Sequence, residues 1–182
     1  MKTKIMDFFT NSAKVFLNPD ELFSEKKATH NYDGVFSLIF YMAILGLIFG
    51  ILTKSVIITV ILIITLIIGA LISKLIHSLI TYVIAMIYKA DAEFSQLYNL
   101  MCYDGALYAL IIPGIGIALL TGNLIVIPLI ILVDLWKLIV NVIAVNSVFE
   151  FGYGKSFIAS YALVILILII IMGLILWTII KF

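Results

Sequence analysis

The sequence predicts an all-α, polytopic transmembrane helical bundle with five spans, one unusually long, preceded by short N-terminal amphipathic helices. Three observations predict it. The 182 residues are 65% apolar and 12% charged, against roughly 45–50% and 25% in soluble domains. A soluble chain this short has no interior able to hide so much apolar surface, whereas a bilayer accepts it. The apolar residues fall in long stretches between short polar turns, and lysines crowd one alternating set of those turns.

Composition narrows the chemistry. All 11 basic residues are lysine, so no guanidinium clamp for phosphate or carboxylate exists. Net charge is +1, which argues against a nucleic-acid partner. Cys102 is the single cysteine, excluding an internal disulfide and a multi-cysteine metal site. No metal and no cofactor is expected. The first long apolar stretch begins after residue 30, behind mixed charges, and no cleaved signal peptide is expected.

Residues 1–33 read as a cytoplasmic, interfacial segment and 34–182 as the transmembrane domain. Within residues 1–18, Ile5, Phe8, Phe9, Ser12, Val15 and Phe16 mostly recur at helical spacing, with Lys2, Lys4 and Lys14 elsewhere on the wheel. This face, with Phe8, Phe9 and Phe16 as its contacts, either lies in the membrane interface or packs on the bundle. Asn18-Pro19-Asp20-Glu21 starts a second short helix, with a capping side chain, proline in first position and acids in the first turn, running to about Lys27.

The first span covers about 35–52 and carries Gly46 and Gly50 at a spacing that permits close helix approach. Thr53-Lys54 marks a turn. The next stretch, 55–88, has 34 residues. As one helix it measures ~51 Å against a hydrocarbon core of ~30 Å. Split at Gly69–Lys74, it leaves too few residues for a second crossing, so one long helix is expected. Lys89, Asp91 and Glu93 form the following loop. The third span is about 94–119, bent or ended at Pro113-Gly114. Thr121-Gly122-Asn123 is a turn, and the fourth span is about 124–147. A loop over Glu150–Ser156 precedes the fifth span, about 157–180.

Five spans put the N-terminus, second loop and fourth loop on one side. That side holds seven lysines (Lys2, Lys4, Lys14, Lys26, Lys27, Lys89, Lys155) and the other holds two, Lys54 and Lys181. The bias predicts a cytoplasmic N-terminus and a C-terminus on the opposite side.

Ionisable residues inside spans are costly and therefore candidates for function. Lys74, His77, Ser78 and Thr81 share one face of the long helix. Lys74 and His77 are expected to snorkel to the inner interface, residues 55–73 already nearly spanning the core. Asp134 and Lys137 are three apart and can neutralise each other, with Asn141 one turn further on the same face. Asp104 lies in a polar run with Asn99, Cys102, Tyr103 and Tyr108 and has no local basic partner. Lys74 and Lys137 are its candidate mates across helices, and without one it would be protonated. Lys74, His77, Asp104, Asp134, Lys137 and Asn141 thus form a candidate intramembrane polar cluster.

An enzyme is not expected. Tyr103-Asp104 has the Tyr-Asp of intramembrane aspartyl proteases, but Asp134 lacks the Gly-x-Gly context of their second carboxylate. A Cys102–His77 dyad has nothing to orient it, and there is no HExxH, GxSxG or phosphate-loop motif.

From about Phe16 to the C-terminus the order of features resembles the Yip-one domain family of Ypt/Rab-interacting multi-pass membrane proteins. Asn18-Pro19-Asp20-Glu21-Leu22-Phe23 is similar to its proline-plus-aromatic segment, and Ser73-Lys74-Leu75-Ile76-His77 to its histidine-bearing stretch. Ala92-Glu93-Phe94-Ser95-Gln96-Leu97, followed by Tyr103, is the strongest match; Trp136 and Gly154-Lys155-Ser156 also fit. Lys89-Ala90-Asp91 replaces the double glycine of many members, and the proline that often follows the tyrosine waits until Pro113. The resemblance implies a helical bundle without known catalytic residues and, in eukaryotic members, a link to vesicle traffic and Rab GTPases. The N-terminal segment of about 33 residues is much shorter than theirs, which weakens the case for GTPase binding. The isoleucine-rich, arginine-free usage suggests a prokaryotic member of the cell membrane.

Two functions follow as expectations. One is a non-enzymatic, membrane-organising or partner-binding protein, with the lipid bilayer, a membrane or cytoplasmic protein, or a second copy as partner. The other is a small transporter, channel or lipid-moving protein using the polar cluster and the Pro113-Gly114 break.

Overall fold

The computed structural model describes residues 2–27, 31–88, 92–122 and 126–181. Two short N-terminal helices, α1 (Lys2–Leu17) and α2 (Pro19–Lys27), precede α3 (Asp33–Leu52) and α4 (Val56–Ile87). Then come α5 (Phe94–Cys102), a 3-10 stretch (Tyr103–Leu107), α6 (Tyr108–Thr121), α7 (Val126–Phe149) and α8 (Tyr153–Lys181). No strand occurs among the described residues. Five helical runs are long and apolar enough to cross a membrane: Asp33–Leu52, Val56–Ile87, Phe94–Leu119, Val126–Phe149 and Tyr153–Gly173. The expected loop residues Lys89 and Asp91 and the turn residue Asn123 lie outside the described residues, as do the side chains of Lys2, Lys4 and Lys181.

The long second stretch is one helix. At 32 residues it measures ~48 Å. Its outer half touches the bundle through α3, and the glycines explain how. A Cβ on Gly46 would come within 2.6 Å of the Ile63 Cα, and one on Gly50 within 2.6 Å of the Thr59 Cα. The GxxxG spacing is therefore a backbone-to-backbone contact in an antiparallel hairpin, closed by Thr53-Lys54 with Lys54 in left-handed conformation. The inner half of α4 buries a single stripe, Lys74, Ser78, Thr81 and Ala85, against α5 and α8.

The third span sits at the centre. It is the least apolar of the five, with mean hydropathy 1.6, and the most buried, at 61%; α4 is the most apolar, at 3.1, and its most apolar stretch is wholly unburied. In lipid, packing and polar satisfaction select the interior, since apolar residues are already solvated by acyl chains. The span is also broken, but not where its proline suggests. Pro113 lies within α6, and the helix changes to 3-10 geometry over Tyr103–Leu107 instead. Close packing accounts for the position: a Cβ on Gly105 would lie 2.6 Å from the Leu38 Cα, so α3 presses directly on the break. Gly122 ends α6 in the left-handed conformation, its N–H bonded to the Ala118 carbonyl at 2.9 Å. The fourth loop is shorter than expected. Gly154, Lys155 and Ser156 already belong to α8, because Glu150 and Gly152, both at positive φ, complete the turn, and the Asn146 carboxamide accepts from the Gly152 N–H at 2.9 Å.

Residues α1 and α2 close one end of the bundle. On α1, Ser12 and Val15 are buried, Phe8 and Phe16 are half-buried, and Phe8 meets Phe36 and Phe40 edge-on. Ile5, Met6 and Phe9 stay uncovered. The helix thus packs on the bundle through one side and leaves a second apolar side open. On α2, Leu22 and Phe23 are fully buried, while the polar side is tied down on every flank. Lys14 pairs with Glu21 and Glu25 at 2.8 and 3.0 Å, Lys26 with Asp33 at 2.9 Å, Lys27 with Glu150, and Asp20 accepts from the Tyr153 hydroxyl at 2.7 Å. The expected Asn18 cap takes another form: its carboxamide donates to Glu21 at 2.7 Å.

Two predictions follow. Gly46→Val or Gly50→Val should lower the melting temperature in detergent, an overpacking cost of about 1–3 kcal/mol. Gly69→Ala, with nothing within 4 Å of the added carbon, should leave it unchanged or raised. Lys14 and Lys27 hold the carboxyls of Glu21 and Glu150 below the ordinary glutamate value of 4.5. A lowered folded-state pKa contributes stability above the ordinary value and loses it as pH falls through the lowered one. Amide-exchange protection across Pro19–Lys27, relative to the intrinsic rate at each pH, should therefore fall below pH 4.5, and earlier in high salt.

Candidate functional site

The break in the third span brings Asp104 into the centre of the bundle, and two neighbouring helices supply its partners. The Lys74 ammonium on α4 meets the Asp104 carboxylate at 2.6 Å and the Asn141 side-chain oxygen on α7 at 3.3 Å. Asn141 donates back to Asp104 at 3.4 Å and also to the Tyr161 hydroxyl of α8 at 3.4 Å, and Tyr161 donates to the Leu138 carbonyl at 3.4 Å. Lys74, Asp104 and Asn141 are 9, 4 and 4% exposed. His77, one turn beyond Lys74, places Nε2 3.0 Å from the Ser160 carbonyl and its ring 5.7 Å from that of Tyr161.

This corrects two expectations. Lys74 does not snorkel; it turns into the protein, because Asp104 offers a better partner than the interface. Asp104 takes Lys74 as its mate, one of the two candidates across helices. The six expected cluster residues separate into two groups. Asp134 and Lys137 lie nearer the start of α7, 3.6 Å apart, with the ammonium 3.7 Å from the centre of the Tyr108 ring. Asn141 shares their face but lies seven residues beyond Asp134, about 10 Å further along α7, where Lys74, Asp104 and Tyr161 are its neighbours.

Around the pair, polar contacts stitch the spans together. Asn99 on α5 is the clearest case. Its side-chain oxygen accepts from the Gly34 and Val35 N–H groups at 3.0 and 3.3 Å. No side chain caps α3 from its own N-terminal turn, so the cap comes from another helix and locks the first span to the third. Gly34 is required there, since an added Cβ would collide with the Asn99 backbone. Sequence spacing could not reveal this, as 65 residues separate donor and acceptor. The Ser160-Tyr161 pair was also missed. Its only sequence signal was two polar residues early in an otherwise apolar span.

Asp104 and Asp134 sit in separate groups, and no hydrogen bond links Cys102 to His77 among the described contacts. An ion pair with this burial is held by its neighbours, and removing one partner leaves an uncompensated charge at a cost of about 3–5 kcal/mol. Lys74→Met and Asp104→Asn should each lower the melting temperature sharply, while the double variant should be less damaged than their sum by at least about 1 kcal/mol. Additive losses in a thermal double-mutant cycle would show that the two groups are not coupled.

Comparison with known proteins agrees with this architecture. The model of the Yip1 domain matches residues 13–175, most of the chain. No curated protein and no solved structure matches. The match takes in α2, the histidine-bearing stretch of α4, the broken third span and Trp136, so that the chain is an integral membrane protein belonging to the Yip1 domain family.

Proposed function

We propose that this protein is a non-enzymatic, membrane-organising or partner-binding scaffold, with its N-terminus in the cytoplasm. The observation that carries this reading is the state of its intramembrane charges. Lys74 and Asp104 cancel each other and are satisfied by Asn141, an arrangement suited to orienting helices. A conduction path built on these charges would need them open to water and to the permeant rather than closed on each other. The uncovered apolar side of α1, with Ile5, Met6 and Phe9 exposed, supports a second element of the reading. It is an interfacial helix that displaces headgroups on one leaflet while its other side holds it to the bundle. Lysine placement supports the orientation: Lys14, Lys26, Lys27 and Lys155 lie at the end bearing α1 and α2, and Lys54 at the other.

A second reading, a small transporter, channel or lipid-moving protein, has one observation in its favour. The Asp134 side chain is 64% exposed and borders a crevice of about 550 Å³ between α3, α6 and α7. A carboxylate facing that crevice at span depth is costly unless it meets a partner or water.

Reconstituted vesicles separate the readings. Under the scaffold reading, solute leakage and lipid scrambling match empty vesicles. Activity above that level that falls tenfold or more in Asp134→Asn would establish the second reading instead. Orientation is tested separately. Lys54→Cys should react with an impermeant thiol reagent in intact cells and Ser24→Cys only after permeabilisation, against a native background kept low by the burial of Cys102.

A further inference from the structure

A cavity of about 380 Å³ lies where α1 crosses the first turn of α3, apart from the ion pair. Of the three buried side-chain polar atoms without a hydrogen-bond partner among the described residues, two, the hydroxyls of Ser37 and Tyr103, belong to residues that line it. Both residues are 1% exposed. A buried hydroxyl left unpaired costs free energy that folding would ordinarily avoid, so an orphaned pair lining one cavity marks a place where a ligand group supplies the missing partner.

The charges of the cavity state what that group is. Lys26 and Asp33 are both in its lining and neutralise each other at 2.9 Å. Asp7 lines it as well, with no ion pair or hydrogen bond among the described contacts, and leaves the described lining one negative charge in excess. Asn11 adds a carboxamide beside it. A negative pocket rich in oxygen acceptors is complementary to a cation that also donates hydrogen bonds, which a primary ammonium does three times over.

The rim states where the cation comes from. Phe36 and Phe8 are part of the lining, and Ile5, Met6, Phe9 and Phe36 are all exposed by more than half. Asp33 opens the first span, so the cavity lies where the chain enters the membrane, with polar groups at one end and uncovered apolar side chains at the other. We propose that this cavity binds the primary-ammonium headgroup of a phospholipid of the phosphatidylethanolamine type. The ammonium sits against Asp7 and the Ser37 and Tyr103 hydroxyls, the phosphate at the mouth, and the acyl chains along Phe36 and the open side of α1. An anionic headgroup is repelled by the excess charge. A quaternary ammonium carries the right charge but no N–H for the hydroxyls.

The full-length protein, purified in detergent, should be titrated with phosphatidylethanolamine, phosphatidylcholine and phosphatidylglycerol of identical chains. Retention is followed by native mass spectrometry and stabilisation by thermal shift. Wild type should bind the ethanolamine lipid about tenfold more tightly than either other lipid, the difference expected of hydrogen bonds to a charged group. Asp7→Asn, at an exposed position, should abolish that preference. Ser37→Ala with Tyr103→Phe should weaken ethanolamine-lipid binding about tenfold while leaving the lipid-free melting temperature unchanged or higher. Equal binding of the three lipids, or an intact preference in Asp7→Asn, would overturn the assignment. So would a lower lipid-free melting temperature in the hydroxyl double variant, since the hydroxyls would then have partners within the protein. Free phosphoethanolamine displacing the lipid at equal concentration would overturn the lipid source in favour of a soluble amine.

Discussion

An ammonium and a carboxylate withdrawn from water need each other and need a third group to satisfy what remains of their hydrogen-bonding capacity. Lys74, Asp104 and Asn141 meet that requirement from three separate spans. Much of the architecture follows from it. The third span occupies the centre although it is the least apolar, because its carboxylate must be surrounded. The long helix turns its only polar stripe inward, and α7 is held at the depth where Asn141 reaches both charges. Such a pair adds little net stability compared with a packed apolar core, but any arrangement that separates its members is strongly disfavoured. We read it as a device for register: in a lipid solvent that does not distinguish one isoleucine face from another, a charge pair does.

Glycine plays the complementary part. Where polar groups choose which helices meet, Gly34, Gly46, Gly50 and Gly105 set how closely they meet, each at a point where a neighbouring backbone occupies the space of a side chain. Three of these four lie on α3, which therefore acts as the narrow helix against which α4 and the third span are drawn. The Asn99 cap on the start of α3 belongs to the same logic, satisfying backbone donors that neither water nor lipid could serve at a buried helix end.

The N-terminal helices give the bundle its asymmetry. Leu22 and Phe23 reach into the core, with the Phe23 ring 6.0 Å from that of Tyr103, and ion pairs bind α2 to its surroundings. The helices are part of the folded domain and not a tether to it. Through Tyr103 they abut the residue that carries the central carboxylate. A ligand in the cavity beneath α1 would thus touch the neighbour of the core pair.

How much was legible beforehand depends on the range of the interaction. Five spans, the undivided α4 and the two N-terminal helices could be read from sequence, because they follow from local apolarity, length against bilayer thickness, and capping residues. The candidate polar residues could also be named, since any ionisable group in an apolar run stands out. Their grouping could not. Lys74 lies 30 residues from Asp104 and Asn141 a further 37, and helical periodicity speaks only for neighbours on one helix; it joined Asn141 to Asp134 and sent Lys74 to the interface. The break in the third span was misplaced for a related reason. Proline weakens a helix locally, but contact with α3 at Leu38 and Gly105 decided where the helix departs from α geometry. The sequence by itself determined what the solvent is and which segments cross it. Only the tertiary structure decided which charges meet and where a cavity is left, because those depend on helices far apart in the chain competing for the same few polar partners.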